Sequence, residues 1–192
     1  MSKVFKWIGI VVVAIIALSF IAHLFDKGDK KADAATPSST SSTATPSKPA
    51  SAWSYSEDTD KMTSKVVYHA YVGANEGLKL QFPYEGSEAY LNVRSSNGSN
   101  DVYLHVTKGQ LLGAEVDGGH TIQVRFDDDK AMNFAVVGPS DMSSETVYIT
   151  DAGSAKFLSR LKTAKKVLIG AEFYDNGTQQ MEFNTAGIDW TH

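Results

Sequence analysis

The chain of 192 residues is 42% hydrophobic and 21% charged, with a net charge of −4. This composition excludes a wholly disordered chain and a membrane protein with several spans. Cysteine is absent, which excludes disulfides, thiolate metal sites and a cysteine nucleophile. A single folded domain is expected.

The first predicted element is a membrane segment. Residues 7–25 contain no Asp, Glu, Lys or Arg, and a helix of that length spans the ~30 Å hydrocarbon core of a bilayer. We therefore assign residues 1–31 to an N-terminal membrane anchor and its flanks. The nearest site for signal-peptide cleavage, Ala32-Asp33-Ala34, lies beyond a charged stretch. This position favours an uncleaved anchor over a removed signal.

A linker follows the predicted anchor. Residues 32–52 are rich in Ser, Thr, Ala and Pro and contain no aromatic or large aliphatic residue, which predicts a disordered segment. Lysines flank both sides of the apolar run, so the positive-inside rule does not decide the orientation. The linker favours a single-pass inner-membrane protein with its N-terminus inside and its domain in the periplasm or outside.

Residues 53–192 predict a β-rich globular domain. Short β-like runs alternate with turn signals such as Asn97-Gly98, and Val102, Leu104 and Val106 alternate with polar or aromatic neighbours. This pattern is typical of an antiparallel β-sandwich or barrel. The predicted strands cover residues 53–55, 65–72, 78–82, 89–93, 102–106, 121–126, 133–137, 146–149, 167–174 and 179–183.

One segment has helical spacing instead. Phe157, Leu158 and Leu161 recur with a helical period, which predicts an amphipathic helix over 154–165, with Asp151 or Ser154 as candidate caps. After it, Asp175-Asn176-Gly177 predicts the turn of a closing hairpin.

Several motifs together suggest a relationship. They are Trp53-x-Tyr55, Asp60-x-Met62, Phe82-Pro83-Tyr84-x-Gly86, Gly109-Gln110, Val124-Arg125-Phe126-Asp127, Phe183 and Gly187-Ile188-Asp189-Trp190. With them the chain resembles a group of small bacterial and prophage-borne proteins that have an N-terminal membrane or signal segment and no assigned activity. It also resembles, more distantly, the VasI-type accessory proteins of type VI secretion. The resemblance covers nearly all of residues 53–190 and implies a cysteine pair where this chain has Gly113 and His120.

Residues with catalytic chemistry are few. His69 and His105 lie in predicted strands, and the G-x-S-x-G motif of many serine hydrolases is absent. Asp127 follows Arg125 by two residues, so both are expected on one strand face, where an Arg–carboxylate pair would be structural. We predict no catalytic residues and keep an envelope hydrolase using His or carboxylate chemistry as an alternative.

No metal or organic cofactor is predicted. Asp127, Asp128 and Asp129 offer oxygen ligands but lack the spacing of a calcium loop. Neither common glycine-rich nucleotide motif occurs in the chain. A solvated turn is the simpler interpretation of the acidic run.

Charge and aromatic content point to a binding role. Residues 53–192 contain 12 basic and 19 acidic residues, which argues against nucleic acid as a partner. A run of basic residues at the predicted helix fits a solvated face as well as it fits attraction to anionic lipid or to an acidic partner; it comprises Lys156, Arg160, Lys162, Lys165 and Lys166.

Strand alternation gives a candidate interaction surface of Tyr84, Arg94, Tyr103, His105 and Arg125. The sequence thus predicts a non-enzymatic, membrane-anchored interaction domain with a protein partner in the cell envelope. Prophage-encoded exclusion and accessory service to a secretion system are the alternatives that the resemblance allows.

Overall fold

The computed structural model describes residues 51–113 and 119–192. The predictions for the anchor and for residues 32–50 of the linker therefore lie outside the described residues. Within the described part of the chain, no helix is long and apolar enough to span a bilayer.

The described domain is mainly β, with one helix, and this confirms the predicted class. Its nine strands form one antiparallel sheet. The elements are β1 (Ser54–Thr59), β2 (Val66–Gly73), β3 (Ala89–Ser96), β4 (Ser99–Val106), β5 (His120–Phe126), β6 (Met132–Val137), β7 (Thr146–Ile149), α1 (Asp151–Leu161), β8 (Lys166–Phe173) and β9 (Gly177–Asn184).

The strand order is β1-β2-β3-β4-β7-β6-β5-β8-β9. The sheet is thus assembled from three blocks whose members are consecutive in the chain: β1 to β4, β5 to β7 in reverse, and β8 with β9. Pairing of β4 with β7 and of β5 with β8 joins the blocks. The sheet also curls, because Ala74 after β2 forms a bridge with Phe183 of β9.

Turn residues match the sharp connections. Asn97 and Gly98 both have positive φ, 54° and 78°, between β3 and β4, as two-residue hairpin turns require. Asp175, between β8 and β9, and Gly177, the first residue of β9, have φ of 56° and 60°. Both hairpins predicted from these sequences are confirmed.

Alternation along the strands encloses one apolar core. Ala89, Leu91 and Val93 of β3 are buried, and so are Val102, Leu104 and Val106 of β4. Helix α1 covers the core side of the sheet through Phe157. The centroid of its ring lies 5.1 Å from that of Phe126 and 5.2 Å from that of Phe134, in edge-to-face geometry. Such aromatic contacts add to the stabilisation from burial alone.

The predicted bounds of the helix were wrong at both ends. Helix α1 begins at Asp151, directly after β7, with Thr150 as its N-cap and no side-chain cap. Ser154 is not a cap, because its buried hydroxyl donates a hydrogen bond to the carbonyl of Ile149. The helix ends at Leu161, and Ala164 is buried in the following turn.

The predicted strand 78–82 is also wrong. Leu78 and Leu80 are buried, which explains the alternating pattern, but the segment belongs to a loop between β2 and β3. The backbone N–H of Gln81 donates to Oδ1 of Asn176, in the β8–β9 turn, rather than to a neighbouring strand. Alternating burial therefore occurs here without a strand ladder.

Candidate interaction surface

A cluster of large aromatic and polar side chains covers the side of β2, β3, β4 and β7 that faces away from the core. Residues directly opposite each other in neighbouring strands project from the same face of a sheet. The register aligns Tyr71, Asn92, Tyr103 and Tyr148 in one row across these four strands. We call this surface the outer aromatic face, defined by Tyr71, Tyr90, Arg94, Tyr103, His105 and Tyr148.

Tyr103 and Tyr148 form the centre of the outer aromatic face. Their ring centroids are 4.9 Å apart with an interplanar angle of 31°, and Cζ of Arg94 lies 5.6 Å from the centroid of Tyr148. Burial, together with the neighbouring Tyr148, raises the pKa of Tyr103. Its hydroxyl therefore stays protonated at neutral pH and can donate a hydrogen bond.

Arg94 is fixed by an ion pair with the residue opposite it on β4. Its Nε and one terminal nitrogen donate to Oδ2 of Asp101 over 3.0 and 2.6 Å. Burial alone would lower the pKa of Arg94, but the hydrogen bonds and charge of Asp101 outweigh it, and the pKa is raised. A charge held in this way presents donors in a defined geometry.

His105 and Tyr90 lie opposite each other at one end of the outer aromatic face. Nδ1 of His105 is 3.0 Å from Oγ1 of Thr146. Burial lowers the pKa of His105, against the opposing charge of Glu145, so the imidazole is neutral at pH 7. The hydroxyl of Tyr90 donates to Oε2 of Glu88 over 2.6 Å, and this bond raises the pKa of Tyr90.

Of the five residues predicted for the surface, Arg94, Tyr103 and His105 lie together and two lie elsewhere. Tyr84 belongs to the β2–β3 loop, packs against the core and accepts a hydrogen bond from Nε2 of Gln110 over 2.9 Å. Arg125 is exposed on β5, opposite Leu168 of β8. Strand alternation did not show that β4 pairs with β7, which brings Tyr148 into the surface.

The residues weighed for catalysis are dispersed. His69 on β2 has its Nε2 3.6 Å from Oδ2 of Asp58, whose side chain is 79% exposed. Asp127 accepts hydrogen bonds at Oδ1 from the backbone N–H groups of Lys165 and Lys166. It therefore fixes the start of β8, which corrects the expected pairing with Arg125.

The acidic run does not converge on one point. Asp129 pairs with Arg160 at 2.9 Å, and Asp128 lies 3.7 Å from Nζ of Lys166. No group of three or more His, Asp or Glu side chains placed to hold a metal ion is found among residues 51–113 and 119–192. These pairs also neutralise part of the basic charge of α1 and the residues after it.

The positions that the resemblance matches to a cysteine pair are neighbours. A β-carbon built on Gly113 would lie 2.8 Å from Cβ of His120, and Gly113 has a φ of +97°. That distance is shorter than the roughly 3.5–4.5 Å between the β-carbons of a disulfide, and this chain has no cysteine at either position.

Comparison with known proteins adds no relative: no family model, no curated protein and no solved structure matches the chain.

Proposed function

We propose that this protein is a membrane-anchored binding module of the cell envelope, with a sandwich-like domain that holds a protein partner on the outer aromatic face. The observation that carries the proposal is the row Tyr71, Asn92, Tyr103 and Tyr148, flanked by Arg94 and His105. Tyrosine and arginine are enriched at protein interfaces, where they contribute much of the binding energy.

Preorganisation supports this role. Arg94 is held by Asp101 and lies near Tyr148, while Tyr71 and Tyr90 are in edge-to-face contact at 6.2 Å. Side chains already fixed by their neighbours lose little conformational entropy when a partner binds. The surface is therefore suited to association without rearrangement.

An envelope hydrolase is less well supported. His69 and His105 lie on β2 and β4 with β3 between them, and the side chain of Asp127 is engaged by backbone donors. General acid–base catalysis requires its groups within hydrogen-bond reach of one reacting centre. The three residues do not meet that requirement together.

The membrane anchor at residues 7–25 and the linker at 32–52 remain predictions from sequence. They place the domain at the membrane surface, in the periplasm or outside. A secretion-accessory or prophage-exclusion role is compatible with such a module, and the neighbouring genes would distinguish the two.

Site-specific photocrosslinking in cells tests the proposal. A photoreactive phenylalanine derivative replaces Tyr71 or Tyr148 in the full-length protein, and Tyr174, which is 55% exposed, serves as the matched control position. We expect a discrete protein adduct from both outer positions and none from position 174. The Arg94→Ala substitution should reduce the adduct, whereas Arg125→Ala should not.

Two outcomes would contradict the proposal. One is the same adduct from all three positions, and the other is no adduct from position 71 or 148 in cells that express the protein at its natural level. Loss of a cellular phenotype on substitution of His105 alone, with full retention in the Arg94→Ala and Tyr103→Ala variants, would favour the hydrolase.

A further inference from the structure

The edge strand β1 is a second candidate site, distinct from the outer aromatic face. All six residues of Ser54–Thr59 are exposed, although the strand is fully paired with β2 along one side. No described strand pairs with its other side. A strand that is exposed on both faces and along one edge can pair with a further strand.

The register identifies the free backbone groups. The N–H of Asp60 donates to the carbonyl of Lys65, and the same register continues through β1. In an antiparallel ladder, residues alternate between groups that point to the partner and groups that point away. The N–H and C=O groups of Tyr55, Glu57 and Thr59 therefore point to the open edge.

The strand has a defined start and end. Asp60 closes the β1–β2 turn by accepting hydrogen bonds at Oδ1 from the backbone N–H groups of Met62 and Thr63, at 2.8 and 2.9 Å. These bonds lower the pKa of Asp60. At the other end, the hydroxyl of Tyr55 accepts a hydrogen bond from the backbone N–H of Asp189. The edge is thus held in an extended form before a partner arrives.

Charge decides which occupant fits. Strand β1 carries Glu57 and Asp58 on opposite faces and has no basic residue. An added strand with Lys or Arg side chains finds a carboxylate on each face. Self-pairing with a second copy, centred on Glu57, would instead place two Glu57 side chains directly opposite each other, which is unfavourable.

A groove over β1 and β2 can receive long side chains that reach across β1 from the added strand. Its volume is about 400 Å³, and its lining includes Tyr55, Glu57, Tyr68, His69, Trp190 and His192. Strand addition combines backbone hydrogen bonds with pockets for alternate side chains. We propose that β1 binds an extended, basic segment of a partner protein by strand addition.

Amide hydrogen exchange, followed by NMR on the full-length protein in a nonionic detergent, tests this site. The probe is a blocked peptide of alternating lysine and valine, and a peptide of alternating glutamate and valine is its control. Without peptide, the amides of Ser56 and Asp58 should be protected and those of Tyr55, Glu57 and Thr59 should exchange freely. The lysine peptide should slow exchange of the latter three at least about ten-fold, since each gains a ladder hydrogen bond.

Variants separate backbone pairing from charge. Glu57→Pro removes an outward N–H, which an edge strand tolerates, and should abolish peptide protection at Tyr55 and Thr59. Glu57→Gln keeps that N–H and should weaken peptide binding by about two- to five-fold at low salt. Thr59→Pro provides a second backbone variant if Glu57→Pro lowers the melting temperature.

The proposal fails if the lysine peptide protects none of the three amides, if the glutamate peptide protects them equally, or if they are already protected without peptide. Tyr103→Ala should leave peptide binding unchanged, so a failure at β1 is distinguishable from a failure of the outer aromatic face.

Discussion

The two outward surfaces of the sheet differ although the same alternation produces both. On β5 and β6, the outward residues Thr121, Gln123, Arg125 and Asn133 are exposed; we call them the outer polar face. On β3, β4 and β7, outward residues such as Arg94, Tyr103 and Tyr148 are only partly exposed, because they cover one another.

This difference shows that solvent exposure on a sheet depends on what lies opposite each residue. Tyr103 is flanked by Asn92 and Tyr148, whereas Gln123 is flanked by Asn133 and Gly170. Large side chains on neighbouring strands contact one another, and these cross-strand contacts stabilise the sheet. The outer aromatic face should therefore contribute to folding as well as binding, and the outer polar face should not.

The largest effect on stability is expected in the apolar core, which lies beneath both the outer aromatic face and the outer polar face. Leu161 of α1 is fully buried and Ser159 on the same helix is exposed. Leu161→Ala should lower the free energy of unfolding by about 2–5 kcal/mol, and Ser159→Ala should change it by less than about 0.5 kcal/mol. Chemical denaturation of the full-length protein measures both. Equal values would mean that α1 does not close the core.

The next largest effect is expected in the outer aromatic face. Tyr103→Ala removes a half-buried ring that contacts Tyr148 and should cost about 1–3 kcal/mol of stability. The matched change Tyr174→Ala, at an exposed ring, should cost less than about 0.5 kcal/mol. Equal shifts of the denaturation midpoint for the two variants would contradict a stabilising role of the outer aromatic face.

Ion pairs provide a finer test. A double-mutant cycle on Arg94 and Asp101, whose side chains are 37% and 28% exposed, should give a coupling energy of about 0.5–1 kcal/mol after solvent screening. The pair Arg160 and Asp129 is more exposed, at 38% and 65%, and should give about 0.2–0.5 kcal/mol. A larger coupling for the second pair would contradict this order.

The smallest expected effect is a pH dependence at His105. Its pKa is lowered in the folded state, chiefly by burial, and the opposing charge of Glu145 is weaker. The unfolded chain therefore binds a proton first as the pH falls, and stability decreases below about pH 6.5. His105→Gln should reduce the loss of melting temperature between pH 7.5 and 5.5. An unchanged loss would place the acid sensitivity elsewhere.

Local signals predicted much of the fold. The turns at Asn97-Gly98 and at residues 175–177 specify hairpins, with positive φ at Asn97, Gly98, Asp175 and Gly177. Alternation in 102–106 specifies the buried face of β4. The segment 78–82 was misread because Leu78 and Leu80 are buried without strand pairing. Periodicity reports burial, and only the tertiary structure decides whether the backbone is paired.

The candidate surface was also predicted only in part, because local pairing can be read from the sequence and long-range strand order cannot. Arg94, Tyr103 and His105 lie on two strands joined by a tight hairpin, so their shared face follows from the turn. Tyr148 joins them through pairing between β4 and β7, and Arg125 is excluded because β6 and β7 lie between its strand and β4. Long-range strand order is set by the whole core and leaves no local signal.

Trp53 affects how the domain bears a pulling force applied through the chain that precedes it. It is the first core residue along the described chain, it is 6% exposed, and its indole N–H donates a buried hydrogen bond to the carbonyl of Thr185, directly after β9. Strands β1 and β9 are opposite ends of the sheet, so this hydrogen bond helps to link the start of the first strand to the end of the last. Tension that enters through the chain before Trp53 is therefore shared with the β8–β9 hairpin, instead of acting on the β1–β2 ladder alone.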